Sequence, residues 1–156
     1  MAEPTARASI EIAASPAAVY DLVSDVTTLP EWAAETERCT WLGGADRAAV
    51  GAQFRGRNKH KGRPWGTTCT VTAADPGKRF AFGVRVAGLP SAKWSYDIEP
   101  TEGGCRVTES TTRLAPRPLA LVANRVLFGI PDRDKHNQAN IEKTLAQLKK
   151  RAEATA

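Results

Sequence analysis

Apolar and polar residues alternate strictly near the start of the chain. Ile10 and Ile12 fall on one side and Ser9 and Glu11 on the other, the period-two pattern of a half-buried strand that ends at Ala14. The period then changes. Ser15 offers a side-chain oxygen to an orphan amide of a first helical turn, and Pro16, at the first helical position, lacks only an amide hydrogen that has no partner there. Val19, Leu22, Val23 and Val26 recur at helical spacing, with no Gly or Pro before Pro30. Leu29-Pro30-Glu31-Trp32 predicts a second, short helix.

Six further strands are predicted over residues 39–42, 53–61, 67–73, 80–86, 92–99 and 105–113, each bounded by turn residues. Gly43-Gly44 stops the first of these, and residues 45–51 form a loop. At Asp75-Pro76-Gly77 the proline pre-sets the backbone angle and the glycine takes the positive φ. Gly88-Leu89-Pro90 breaks the chain before residue 92, and Gly103-Gly104 turns the last strand back on its neighbour. Short links imply antiparallel pairing, so the expectation is one curved meander joined to the first strand, in an α+β fold. After Arg113 the period becomes helical. Leu119, Leu121, Val122, Val126, Leu127 and Phe128 predict a shorter helix stopping at Gly129, and a long helix follows from Pro131 with an apolar stripe of Ile141, Leu145, Leu148 and Ala152. Asp132 and Asp134 at its amino end and Lys149, Lys150 and Arg151 at its carboxyl end suit the helix dipole.

Composition narrows the picture. A chain of 156 residues is expected to form one domain over 1–156 and can bury a real core. Met1 to Arg7 holds no apolar signal region and no apolar run reaches membrane-spanning length, so a cytoplasmic protein without integral membrane association is expected. Cys39, Cys69 and Cys105 are odd in number and lack C-x-x-C spacing, which argues for small buried side chains rather than disulfides or zinc. No nucleophile elbow, P-loop, dinucleotide fingerprint or H-E-x-x-H is present. His60 and His136 are the only histidines, and their spacing points to no metal pair, so neither metal nor cofactor is expected.

The order of strand, Ser15-Pro16, helix, Asp25 and Leu29-Pro30-Glu31-Trp32 resembles the START-related helix-grip superfamily (SRPBCC), in its bacterial polyketide cyclase/dehydrase-like branch. Trp65 with Cys69 and Val71, the run from Asp75 to Phe80, Trp94-Ser95-Tyr96 and Val107-Thr108-Glu109-Ser110 are similar to stretches of the same group. The resemblance covers nearly the whole chain, and none of these motifs is a catalytic signature. It implies a seven-stranded sheet wrapped around a long C-terminal helix, in β-α-α-β6-α order, with an internal cavity for lipids, sterols, polyketides or other apolar molecules.

Strand alternation nominates the residues of that cavity. Phe80, Phe82 and Val84 share a face, as do Trp94, Tyr96 and Ile98, then Trp65, Thr67, Cys69 and Val71, and finally Val107, Glu109 and Thr111. These aromatics either fill a solid core or line a pocket. In the strand from Phe54 to Arg63, Arg55, Arg57, Lys59, Lys61 and Arg63 form a basic stripe read as a solvated face rather than a nucleic-acid surface. Phe54, Gly56, Asn58 and His60 face the other way, Gly56 leaving room beside Phe54. Asn58 is the pocket candidate, while His60 is expected at an exposed strand end. Glu109 is expected as a hydrogen-bonded wall residue, or as an acid or base if buried without a cation. Asn137 and Ile141 extend the lining onto the C-terminal helix, and Gly88, Leu89 and Pro90 with Val122, Val126 and Phe128 are expected to gate it. Two functions follow: a carrier or sensor of a small apolar or aromatic molecule, or an aromatase/cyclase-type enzyme acting by enclosure, with Glu109, Asn58, Tyr96 and His60 as its candidate acid-base groups. The partner expected is the small molecule alone, with no nucleic acid, and the oligomeric state, monomer or homodimer, is left open by the sequence.

Overall fold

The computed structural model describes residues 4–114 and 133–154. The opening alternation becomes β1 (Ala6–Ile12), followed by α1 (Pro16–Ser24), a 3-10 turn (Val26–Thr28) and α2 (Leu29–Trp32). Ser15 Oγ accepts a hydrogen bond from the Ala18 amide at 3.1 Å, which caps α1, and Asp25 caps the 3-10 turn through the Thr27 amide and hydroxyl. Six strands follow: β2 (Thr36–Trp41), β3 (Gln53–His60), β4 (Arg63–Asp75), β5 (Arg79–Val86), β6 (Leu89–Thr101) and β7 (Gly104–Arg113). The chain closes with α3 (Arg133–Ala154). The expected helix over 119–128, with its Gly129 stop, and the helix start at Pro131 and Asp132 lie outside the described residues.

All seven strands form one antiparallel sheet in the order β1-β7-β6-β5-β4-β3-β2. The meander therefore runs in sequence from β2 to β7, and β1 adds itself beside β7. This is the helix-grip order. Ile141, Leu145, Leu148 and Ala152 of α3 are buried in one cluster with the sheet face opposite them.

The helix also bonds the sheet's edge. β1 would otherwise leave backbone groups unpaired on its outer side, a standing invitation to pair with another chain. Gln138 accepts from the Arg7 amide at 2.9 Å and donates to the Arg7 carbonyl at 2.8 Å. Lys149 donates to the Glu11 carbonyl at 2.9 Å, and Glu153 accepts from the Ala13 amide at 2.8 Å. Three polar residues of α3 thus hold that helix along β1.

Several boundaries differ from the sequence pattern. β3 ends at His60, because Lys61 and Gly62 both take positive φ and reverse the chain in two residues. β4 starts at Arg63 rather than residue 67, and its first five residues pair with β3 alone, since pairing with β5 begins at Thr68. Likewise the β5–β6 turn is Ala87-Gly88, both at positive φ, and Leu89 and Pro90 already belong to β6, opposite Val86 and Arg85. A register shift between Val84 and Arg85 accompanies the proline there. Gly104 has a different reason to be glycine: at φ +152° its missing Cβ would stand 2.2 Å from the Ile12 carbonyl oxygen.

Candidate functional site

Among the described residues, the sheet face turned toward α3 is buried at one end and only half-buried at the other, its open end. On β5 the side chains pass from buried Phe80 and Phe82 to half-buried Val84, and on β6 from buried Ile98 and Tyr96 to half-buried Trp94. On β4 the same progression runs from Val71 and Cys69 to Thr67 and Trp65, and on β3 from Phe54 to Asn58 and His60. The expected aromatics therefore divide. Phe54 packs edge-on against Trp41 and Phe82, with ring centroids 5.6 and 5.2 Å apart, and Phe80 lies 5.6 Å from Phe82, so these rings fill the core. Trp65 and Trp94 remain partly accessible at the open end.

Between these two ends lies a buried polar pair. Glu109 on β7 is 3% exposed, and Tyr96, directly opposite on β6, donates its phenol hydrogen to Glu109 Oε2 at 2.8 Å. Trp32 of α2 packs edge-on against Tyr96 at 5.9 Å, and its indole nitrogen donates to Thr28 Oγ1 at 3.1 Å. Glu109 Oε1 and, two positions along the same strand face, Thr111 Oγ1 are buried without a hydrogen-bond partner among the described residues. Leaving such an atom unmet costs about 1–3 kcal/mol. Burial pushes the Glu109 carboxyl from 4.5 up to about 8, outweighing the bond from Tyr96, which pulls the other way. Burial first, and then the neighbouring Glu109, raise the Tyr96 phenol well above its ordinary value. At neutral pH Glu109 is thus predominantly the neutral acid. With Oε2 accepting from Tyr96, Oε1 is the oxygen left to carry the carboxyl proton, and it meets no acceptor among the described residues.

A second polar group stands at the open end, and the sequence pattern missed it. His60, expected at an exposed strand end, is only 21% exposed in its side chain. Its Nδ1 lies 3.5 Å from Glu35 Oε2, and His136 Nε2 of α3 lies 2.8 Å from the same oxygen. The two imidazoles meet edge-on with centroids 4.5 Å apart. The exposed reading of His60 is therefore corrected: the tight Lys61-Gly62 turn keeps the end of β3 beside the first turns of α3. Seventy-odd residues of chain separate the two histidines, so no spacing rule could pair them.

A family model described as polyketide cyclase / dehydrase and lipid transport matches residues 3–153. The chain belongs to that polyketide cyclase/dehydrase family. Among solved structures, the Polyketide_cyc-like protein Cgl2372 from Corynebacterium glutamicum is similar at 29% identity, with a TM-score of 0.57 over 98% of this chain and 91% of that one. Protein CV1439 from Chromobacterium violaceum shares the fold at 18% identity and a TM-score of 0.71, covering 94% of this chain and 96% of that one. The di-domain ARO/CYC StfQ from the steffimycin biosynthetic pathway aligns at 16% identity and a TM-score of 0.71; 96% of this chain matches 50% of that protein. No curated protein matches the chain significantly.

The other candidate residues of this family member fall in several places. Asn58 is half-buried on the inner face and accepts from Thr36 Oγ1 at 3.3 Å. Asn137 and Ile141 are buried on α3, one and five residues beyond His136. The space over Gly56, expected to be left open beside Phe54, is taken by Thr67, whose Oγ1 would stand 2.6 Å from a Cβ there. Leu89 is 67% exposed at the tip of the β5–β6 hairpin, next to exposed Gly88 and Pro90, while Val122, Val126 and Phe128 lie outside the described residues. The basic stripe is shorter than expected: Arg55, Arg57 and Lys59 share the outer face of β3, but Lys61 lies in the turn and Arg63 opens β4 opposite His60. Arg57 and Lys59 each stand 3.9 Å from Glu37. Arg38, Arg55 and Arg57 border an outer groove of about 440 Å³, which Trp65 also lines.

No helix among the described residues is long and apolar enough to cross a membrane.

Proposed function

We infer that this protein binds a small, predominantly apolar or aromatic molecule between the inner face of the sheet and α3, and acts as its carrier or sensor. One observation carries the reading. A deeply buried, largely apolar face contains the neutral carboxyl of Glu109 and the hydroxyl of Thr111, two positions apart on one strand, and Glu109 Oε1 and Thr111 Oγ1 meet no hydrogen-bond partner among the described residues. A guest with a carbonyl or hydroxyl would satisfy both groups, and its hydrocarbon body would lie against Trp94 and Trp65 at the open end. Membership of a family whose description joins polyketide cyclisation to lipid transport supports the same ligand chemistry.

The Glu109–Tyr96 pair favours a second reading in which the bound molecule is converted. A carboxyl held near neutral pKa can deliver a proton to a carbonyl oxygen and recover it, and enclosure places reacting atoms of one folded chain together. An aromatase/cyclase-type reaction requires those two contributions.

Native mass spectrometry of the protein purified from its own host tests binding, with a retained small molecule expected. Quenching of tryptophan fluorescence by the apolar probe N-phenylnaphthylamine gives a second readout. A bare mass together with no saturable quenching would refute the proposal. Glu109→Gln then separates the two readings: weakened binding marks recognition, whereas unchanged binding with lost conversion of the retained molecule marks catalysis.

A further inference from the structure

We propose that Glu35, His60 and His136 form a binding site for a divalent transition-metal ion of zinc-like chemistry, at the open end of the inner face. Two imidazole nitrogens and one carboxylate oxygen are a ligand set suited to such an ion. Their three atoms lie within 4.8 Å of one another. With metal–ligand bonds of about 2.0–2.1 Å, tetrahedral geometry separates neighbouring ligand atoms by about 3.3 Å. The distances from Glu35 Oε2, 2.8 Å to His136 Nε2 and 3.5 Å to His60 Nδ1, bracket that value. The third separation, between the two histidine nitrogens, is within 4.8 Å, so side-chain rotations that draw the imidazoles together would bring the set onto an ion.

Two hydrogen bonds and an ion pair hold these ligands in place. The Glu35 carbonyl accepts from the Lys59 amide at 3.0 Å, which ties the segment before β2 to the residue preceding His60. The Ala34 amide donates to Thr144 Oγ1 of α3 at 3.1 Å, which ties the same segment to the helix carrying His136. An ion pair between Arg113 and Asp134 fastens the start of that helix to the end of β7. Ligands presented by strand, helix and a doubly anchored segment lose little freedom when an ion arrives. Burial is intermediate, with side-chain exposures of 13%, 21% and 22% for Glu35, His60 and His136, so an ion can enter while the carboxylate stays shielded. Three protein ligands leave a coordination position for water or for an oxygen of a guest.

Chelator-treated full-length protein titrated with Zn²⁺ by calorimetry, and with Co²⁺ by visible absorption, tests the site. The expected result is one ion per chain with micromolar or tighter affinity, and Co²⁺ bands of the intensity characteristic of low coordination number. Glu35→Gln and His136→Ala should each weaken Zn²⁺ binding at least tenfold, with circular dichroism confirming that the variants fold. Glu35→Gln keeps the side-chain shape and serves as the test if His136→Ala is unfolded. Absence of saturable uptake of either ion by the wild type, or affinity unchanged in the folded variants, would overturn the proposal.

Discussion

Replacing Glu109 by Gln removes a buried carboxyl whose ionisation the fold opposes, and the consequence is a change in how stability depends on pH. In the unfolded chain this carboxyl loses its proton near 4.5, whereas in the folded protein it holds it to about 8. Between those values the unfolded state has released a proton that the native state retains. Stability therefore falls as pH rises, by about 1.4 kcal/mol per unit from this group alone. The contribution is fully present below pH 4.5; by pH 7 about 3 kcal/mol is lost, and above pH 8 the loss levels off near 5 kcal/mol. Against a total domain stability of about 5–15 kcal/mol this is large. Glutamine can still accept the Tyr96 hydrogen bond and has no charge to release. Urea unfolding of both proteins at several pH values between 5 and 8 measures the effect, because pH-dependent contributions from groups common to both largely cancel in the difference. The stability of the wild type relative to Glu109→Gln should drop by about 3–4 kcal/mol across that range. Two curves that stay parallel would show that Glu109 ionises in the folded protein at its ordinary pH, and the argument from its burial would fail.

Other consequences can be checked by similar means. Gly104→Ala should cost about 3 kcal/mol or more in urea unfolding, since its Cβ would meet the Ile12 carbonyl at 2.2 Å and a backbone atom cannot rotate aside; a loss under about 1 kcal/mol would mean that the β1–β7 junction yields. Leu145→Ala removes a side chain that is 1% exposed at the centre of the α3 contact and should cost about 2–5 kcal/mol. A smaller loss would show that helix and sheet are loosely packed there. Cys39 and Cys69, pushed to about 12 by burial, should resist a thiol-specific disulfide reagent at pH 8 until the protein is unfolded. Prompt native-state reaction would contradict their burial.

Local periodicity accounts for much of this architecture. The Ser15-Pro16 cap, the alternation of Phe80, Phe82 and Val84, the Asp75-Pro76-Gly77 turn and the stripe from Ile141 to Ala152 are interactions among near neighbours, so their pattern is written within a few residues. Strand ends were harder to read. At Lys61-Gly62 and Ala87-Gly88 a non-glycine residue accepts positive φ because the hairpin on either side holds it there, and no composition rule marks Lys61 or Ala87 as turn residues.

The candidate site divides along the same line. Alternation alone set Glu109 on the same face as Val107 and Thr111, but its partner Tyr96 follows from the β6–β7 register, and its raised pKa follows from the packing that excludes water from both. Glu35, His60 and His136 come from a segment before β2, the end of β3 and the start of α3, and nothing in their spacing joins them. Gln138, Lys149 and Glu153 are ordinary polar helix residues until the edge of β1 is laid beside them. Short-range order was thus legible because turns, caps and alternating faces depend on a residue's immediate neighbours. The chemistry of the molecule was decided by folding, because a proton affinity or a set of ligands is fixed by groups brought together from distant parts of the chain and by the water their packing keeps out.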